Sequence, residues 1–191
     1  MKLGDLIKDH SMKTYRAWIG SDAWKYYGSR DLCYLKDATM AVYEMIALHI
    51  YLRFPDMKDR TLGVGDASTR SGPATGHPAG FHIAGNSQDL EYYTSEKNLT
   101  QGKGATEIWL PDGTLDLKKF DLDRNKVLFL KIHQCFPQAA ISVSNGILEV
   151  MNLYLDNRLN YIVGDDNPIW RHSTHVHIQH GKDINLNAEL C

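Results

Sequence analysis

Side chains that alternate between two faces predict two short strands. In the segment that begins at Ser87, Asp89, Glu91 and Tyr93 share one face, and Leu90, Tyr92 and Thr94 share the other. A later segment alternates in the same way and places His175 and His177 on a common face. Each predicted strand therefore carries side chains capable of acid, base or ligand chemistry on one side only.

Three- and four-residue spacing of apolar side chains predicts three helices. The first is a long amphipathic helix from Ser29 to about Leu52. The second follows Asp121, a residue type suited to capping, and runs as far as Pro137. The third covers residues 147–155, and a short strand precedes it. This order of helices and strands indicates an α+β fold.

Length and charge narrow the class of protein. The chain has 191 residues, and we expect residues 1–191 to form a single domain. Lys and Arg number 21 against 23 Asp and Glu, for a net charge of −2, so we expect no nucleic-acid partner. No apolar run approaches the roughly 20 residues of a membrane helix, so we expect no transmembrane segment. We also expect a monomer.

Cysteine usage restricts the kind of metal site that the chain can form. Cys33, Cys135 and Cys191 are odd in number and widely spaced. This pattern argues against a disulfide framework and against a zinc site built from thiolates. Any bound metal must therefore be held by nitrogen and oxygen ligands.

Histidines are concentrated near the end of the chain, where three of the nine fall at His172, His175 and His177. Taken alone, this cluster is explained equally well by a structural histidine pair or by histidines that together bind a metal or a substrate. A second motif, His82-Ile-Ala-Gly85-Asn-Ser-Gln-Asp89, allows a tight turn between an imidazole and a carboxylate. Two imidazoles and one carboxylate are ligands that zinc accepts, and they leave a fourth position for water, as in hydrolytic sites.

These two motifs together resemble the signature of the zinc D-alanyl-D-alanine metallopeptidases, and most closely the penicillin-insensitive murein endopeptidases. The resemblance covers about residues 26–179. Further blocks resemble that family in the same order: Tyr26-Tyr-Gly-Ser29, Gly65-Asp-Ala-Ser68, Gly76-His77, Asp89-Leu-Glu-Tyr-Tyr93, Phe120-Asp-Leu-Asp-Arg-Asn125 and Trp170-Arg-His172-Ser-Thr-His175-Val-His177. The fold implied is a small central antiparallel sheet with helices packed on it, of the DD-peptidase or hedgehog-like type.

The resemblance also implies roles for individual residues. His82, Asp89 and His177 correspond to the zinc ligands, and His175 to the catalytic base. His172 is expected to stabilise the developing oxyanion or to orient substrate, although a loop histidine at the surface explains it equally well.

Other residues of the resembling blocks have weaker assignments. The guanidinium of Arg70 is suited to grip a carboxylate of a peptidoglycan stem or the oxyanion, although a solvated loop arginine is nearly as good an explanation. His77 and Asp121 are candidates for a second metal, but capping accounts for Asp121 and we expect a single metal. Trp170 and the Tyr92-Tyr93 pair either line a substrate groove or belong to the core, and the core is favoured.

The implied function is zinc-dependent hydrolysis of peptide bonds in bacterial peptidoglycan. The bond is either the D-alanyl to diaminopimelate cross-link or the L-alanyl to D-glutamate bond of the stem. The N-terminal residues lack the apolar core of a secretory signal. We therefore expect a phage endolysin that a holin releases from the host cytoplasm to the cell wall, with a processed periplasmic enzyme as the alternative.

Two other classes share part of the ligand set. An iron(II) oxygenase also uses two histidines and a carboxylate, but such sites commonly place the first histidine and the carboxylate two residues apart, whereas seven separate His82 from Asp89. A zinc-containing module that binds the cell wall without catalysis is the third class. A base such as His175 has no use in that module, so the sequence favours the hydrolase.

Overall fold

The computed structural model describes residues 2–11, 15–17, 24–26, 33–55, 61–67, 87–95, 108–155, 162–164, 172–180 and 183–189. The helices in these ranges are α1 (Leu3–Ile7), α2 (Asp37–Arg53), α3 (Leu122–Cys135) and α4 (Asn145–Leu155). The strands are β1 (Tyr15–Ala17), β2 (Trp24–Tyr26), β3 (Tyr34–Lys36), β4 (Leu62–Val64), β5 (Ser87–Glu91), β6 (Ala140–Val143), β7 (Ile162–Gly164) and β8 (His175–Gln179).

The larger sheet found in the described ranges has the strand order β2-β4-β5-β8-β6-β7. Its four central strands, β4, β5, β8 and β6, pair antiparallel. Strands β2 and β7 add in parallel at the two edges, and β1 and β3 form a separate antiparallel pair. The mixture of helices with an antiparallel central sheet confirms the predicted α+β class. The specific fold of the resembling family stays a prediction.

Helix α2 lies inside the core and has no polar face over its first half. Residues 38–43 are all buried, and six successive residues point in every direction around a helix. The helix packs against α1, α3, β1 and β3. The prediction of an amphipathic helix is therefore wrong for the first half of α2, where neighbours enclose the helix on all sides, whereas Leu48 and Leu52 in the second half are exposed.

The two ends of α2 have different causes. The helix begins at Asp37; the predicted start at Ser29 lies outside the described residues, and the predicted helix at Tyr34–Lys36 is wrong. Residues Tyr34–Lys36 form β3 instead, because pairing with β1 prevails over their helical spacing. The helix ends at Arg53, close to the predicted end at about Leu52, since Pro55 disfavours helical backbone in Phe54, the residue before it.

The later elements follow the predicted order. Asp121 caps α3 as predicted, because its Oδ1 accepts a hydrogen bond from the backbone N–H of Arg124 at 3.0 Å. Helix α3 ends at Cys135, close to the predicted limit at Pro137, and β6 and α4 match the predicted strand and third helix. No helix in the described part of the chain is long and apolar enough to cross a bilayer.

Arg124 is a fully buried cation that joins α3 to the end of β5. Its side chain is 2% exposed, and Nε donates to Oδ2 of Asp121 at 2.7 Å. Nη2 donates to the backbone carbonyl of Thr94 at 2.8 Å, and the guanidinium lies 4.6 Å from the centre of the Tyr93 ring. Both carboxylate oxygens of Asp121 therefore serve the helix cap and the ion pair.

Asn125 completes this connection through the backbone of the same segment. Its Oδ1 accepts from the N–H of Tyr93 at 3.0 Å, and its Nδ2 donates to the carbonyl of Tyr93 at 2.9 Å. Nδ2 also donates to the carbonyl of Asp121 at 2.8 Å. The residues that follow β5 are thus held in place by side chains of α3.

Removal of the buried cation should destabilise the fold strongly. We expect Arg124→Met to lower the free energy of unfolding by about 3–5 kcal/mol, because it leaves the Asp121 carboxylate buried without its ion-pair partner. Urea denaturation followed by circular dichroism measures the change.

Lys126 supplies the matched control on the same helix. Its ammonium lies 3.9 Å from Asp123, whose side chain is 79% exposed. Surface pairs contribute about 0–1 kcal/mol, so Lys126→Met should change stability by no more than that. Equal losses in the two variants would contradict a special role for the buried pair.

Two half-buried histidines make stability depend on pH. Burial lowers the pKa of His49, and the nearby charges of Lys131 and Arg53 lower it further. Burial also lowers the pKa of His133. In the unfolded chain these two histidines titrate at the ordinary pKa of 6.5, so as the pH falls below that value the unfolded chain binds more protons than the folded chain. The folded state is therefore at its most stable, with respect to these two groups, above pH 6.5. That stability is lost as the pH falls from 6.5 through the lower pKa values of the folded state.

We expect the parent protein to lose stability between about pH 7.5 and about pH 5.5, and the double variant His49→Gln/His133→Gln to lose less. Denaturant unfolding at a series of pH values gives the slope for each protein. Identical slopes would show that the two histidines are not responsible.

Candidate functional site

The pairing of β5 with β8 brings four ionisable side chains to one face of the central sheet. In this register Asp89 stands opposite His177, and Glu91 stands opposite His175. Residues two apart on a strand point to the same face, so all four side chains share it. Leu90, between the two carboxylates, is fully buried on the other face. The two predicted strands and their polar faces are thereby confirmed.

Asp89 and His177 make the closest polar contact in this group. Nδ1 of His177 lies 2.8 Å from Oδ1 of Asp89, which is hydrogen-bond distance. The two residues are only 8% and 9% exposed. A buried carboxylate is costly unless it is paired or hydrogen-bonded. Asp89 and His177 therefore form a pre-arranged pair, from which water is largely excluded.

His175 lies beside the same carboxylate and is more accessible. Its Nε2 is 4.0 Å from Oδ1 of Asp89, and its Nδ1 is 3.1 Å from Oγ1 of Thr174. The side chain of His175 is 29% exposed, compared with 11% for His177. Of the two strand histidines, His175 is thus the one that solvent or a substrate reaches more easily.

His172 joins the group from the turn that precedes β8. Its ring centre lies 5.5 Å from that of His175 and 5.8 Å from that of His177. The residue is 7% exposed, so the alternative of a histidine at the surface is wrong. We refer to Asp89, His172, His175 and His177 as the histidine–aspartate cluster.

Two aromatic side chains hold the turn at residues 172–174. The hydroxyl of Tyr92 donates to the carbonyl of His172 at 2.7 Å, and Nε1 of Trp109 donates to the carbonyl of Ser173 at 2.8 Å. Burial raises the pKa of the Tyr92 hydroxyl well above its ordinary value, so it remains a donor. The sequence offered no signal for Trp109, because 64 residues separate it from the carbonyl that it contacts. Tyr92 is buried, in agreement with its predicted place in the core.

Two glycines make room for the carboxylates of β5. A Cβ at Gly63 would overlap Oε2 of Glu91 and lie 2.7 Å from the Cβ of Glu91. A Cβ at Gly65 would lie 3.1 Å from the Cβ of Asp89. Glu91 is 6% exposed. It shares the predicted polar face, but sequence reasoning assigned it no role. Glycine is therefore required most strictly at position 63, opposite Glu91.

Some of the predicted site residues fall outside the described ranges. These are the predicted metal ligand His82, the predicted substrate-binding Arg70, the second-metal candidate His77, and Trp170. Within the ranges that are described, no group of three or more His, Cys, Asp or Glu side chains is arranged to hold a metal ion. The predicted ligand set includes His82, so its geometry as a whole lies beyond those ranges.

Comparison of the sequence with protein-family models and with curated proteins finds no match.

Glu91 lies closer to Gly63 than Asp89 does to Gly65, so alanine at the two glycine positions should reduce stability by different amounts. We expect Gly63→Ala to lower the free energy of unfolding by about 1–3 kcal/mol, because the added methyl group overpacks the contact between β4 and β5. Gly65→Ala should cost less, since its nearest contact is longer. Thermal and urea unfolding of both variants decide the order, and a Gly63→Ala variant as stable as the parent would contradict it.

Proposed function

We propose that the chain is a zinc metallopeptidase that hydrolyses peptide bonds of bacterial peptidoglycan, in the manner of a murein DD-endopeptidase. The observation that carries this proposal is the meeting of Asp89 and His177 across β5 and β8, with His175 beside the same carboxylate. A buried acid–imidazole pair suits metal binding, and a more accessible imidazole next to it suits proton transfer. The family resemblance assigns the same division of roles.

Asp89 and His177 fit zinc in the chemistry of their ligand atoms. Zinc binds imidazole nitrogen and carboxylate oxygen at about 2.0–2.2 Å, so two ligand atoms of a tetrahedral site lie about 3.3 Å apart. Oδ1 of Asp89 and Nδ1 of His177 are 2.8 Å apart. An increase of about half an ångström, which small side-chain rotations provide, would bring them to zinc-ligand spacing. His82 is the third ligand in this proposal.

His175 supplies the acid–base chemistry. When bound, zinc lowers the pKa of a water from about 16 to about 7 and polarises the carbonyl of the scissile bond. Nε2 of His175 then takes the proton of the attacking water and returns it to the leaving amine. Nδ1 of His175 lies 3.1 Å from Oγ1 of Thr174, and this contact orients the ring. In the tautomer with the ring hydrogen on Nδ1, Nε2 is the atom that accepts the proton.

His172 and Arg70 complete the proposed site. The ring of His172 stands next to that of His175, from where it stabilises negative charge on the carbonyl oxygen or orients the peptide. Arg70 is assigned to a carboxylate of the substrate on the family resemblance alone.

The proposal is tested by digestion of purified peptidoglycan with and without a metal chelator. We expect soluble fragments from the parent protein, a loss of activity with chelator, and recovery on addition of zinc. Undigested peptidoglycan at every zinc concentration would overturn the peptidase proposal. If the protein still bound the wall in that case, it would favour the non-catalytic binding module.

Substitution of His175 separates proton transfer from metal binding. We expect His175→Ala to lower kcat about 10²–10⁴-fold, the usual contribution of a positioned acid–base group, with zinc content unchanged. His177→Ala should instead lose the metal, as measured by elemental analysis. His133→Gln, in the last turn of α3, is the histidine control and should digest peptidoglycan as the parent does. Full activity in His175→Ala would disprove its role as the base.

Mass analysis of the same fragments identifies the bond that is cut. A new amine on diaminopimelate indicates the cross-link, and a new amine on D-glutamate indicates the L-alanyl to D-glutamate bond. The origin of the protein as a phage endolysin stays a prediction of the sequence, and a neighbouring holin gene would support it.

A further inference from the structure

We propose that Trp109 and Tyr92 are positioning residues for the histidine–aspartate cluster. Their side-chain donors hold two successive carbonyls of the turn at residues 172–174, and this turn places His172 and His175. The kinetic part of the inference rests on the peptidase function proposed above. Its structural part rests on the contacts alone.

His172 needs support that the sheet does not supply. The register of β5 and β8 fixes His177 opposite Asp89, but His172 precedes β8 and belongs to no strand. Its ring nevertheless lies against the rings of both strand histidines. The turn that carries His172 therefore decides whether the three imidazoles stand together.

Tyr92 holds this turn from the segment that follows β5. Its hydroxyl donates to the carbonyl of His172 at 2.7 Å. The residue is fully buried, and its ring packs edge-on against that of Phe120, with 5.8 Å between the ring centres. The donor is thus carried by a side chain that the core holds in place.

Trp109 joins the same turn to the start of α4. Nε1 donates to the carbonyl of Ser173, and the far edge of the indole lies over Gly146 in the first turn of α4. A Cβ at Gly146 would be 3.0 Å from Cζ3 and 3.2 Å from Cη2 of the ring. The indole therefore fills the space between α4 and the turn, with its only donor aimed at the turn.

Two independent donors on adjacent carbonyls fix the orientation of the peptide groups between them. Loss of either donor removes one of the two side-chain hydrogen bonds that orient this turn, and the turn carries His172 and Thr174, the partner of His175 Nδ1. Catalytic groups must be held to within about half an ångström to remain productive. Trp109 and Tyr92 therefore orient the reacting groups and do not themselves contact substrate.

Three variants test the inference by different physical changes. Tyr92→Phe removes only a hydroxyl, and Trp109→Phe removes the indole donor. Gly146→Ala keeps both donors but presses a methyl group on the indole ring, and alanine also raises helix propensity. We expect each variant to lower kcat about 10–100-fold with KM and bound zinc unchanged, as substitutions of groups that orient a site do. Gly146→Ala should do so with no loss in Tm.

A second measurement does not depend on catalysis. Long-range ¹H–¹⁵N spectra of the imidazoles should show shifted resonances for His172 and His175 in each variant. Tyr51→Phe, on α2, is the matched tyrosine control and should leave both the spectra and kcat unchanged. If the imidazole resonances of Tyr92→Phe and Trp109→Phe match those of the parent, or if Tyr51→Phe shifts them equally, the inference is overturned.

The two proposals fail in different ways. A parent protein that digests no peptidoglycan overturns the peptidase function, while the imidazole spectra still decide whether the turn is positioned by these residues. An active parent whose three variants keep the parental kcat overturns the positioning role and leaves the peptidase function standing.

Discussion

A shift of one residue in the pairing of β5 with β8 would put Asp89 and His177 on opposite faces of the sheet, because side chains alternate along a strand. The residues between the polar positions prevent this shift. Leu90, Val176 and Ile178 are fully buried on the other face, and exposure of each would cost about 1.5–3 kcal/mol. The apolar core therefore holds the acid and the imidazole opposite each other, and every other feature of the site depends on that pairing.

The sequence predicted those parts of the site that depend only on residues close together along the chain. Alternation alone placed Asp89 with Glu91 and His175 with His177, since a period of two fixes the face once a strand forms. The cap at Asp121 was predicted for the same reason, because a capping side chain contacts the N–H only three residues ahead. That the two polar faces meet required the sheet order, which local patterns do not contain.

Contacts between distant segments account for what the sequence did not predict. Strand β3 carries helical spacing, and only its partner β1 makes it a strand. Burial of the first half of α2 on all sides depends on which elements surround it. Trp109 acts on a carbonyl 64 residues away, and no repeat or motif marks such a pair. Strands of three residues, such as β2 and β7, are too short to show any period.

The end of β5 is fastened to α3 as well as to the sheet, through the contacts of Arg124 and Asn125 with residues 93–94. This segment cannot leave its place without losing its hydrogen bonds to side chains of the first turn of α3. We therefore expect the two to open together, with their amide protons exchanging with solvent at similar free energies. A helix with no residue in the histidine–aspartate cluster thereby limits how often the strand that carries Asp89 is released.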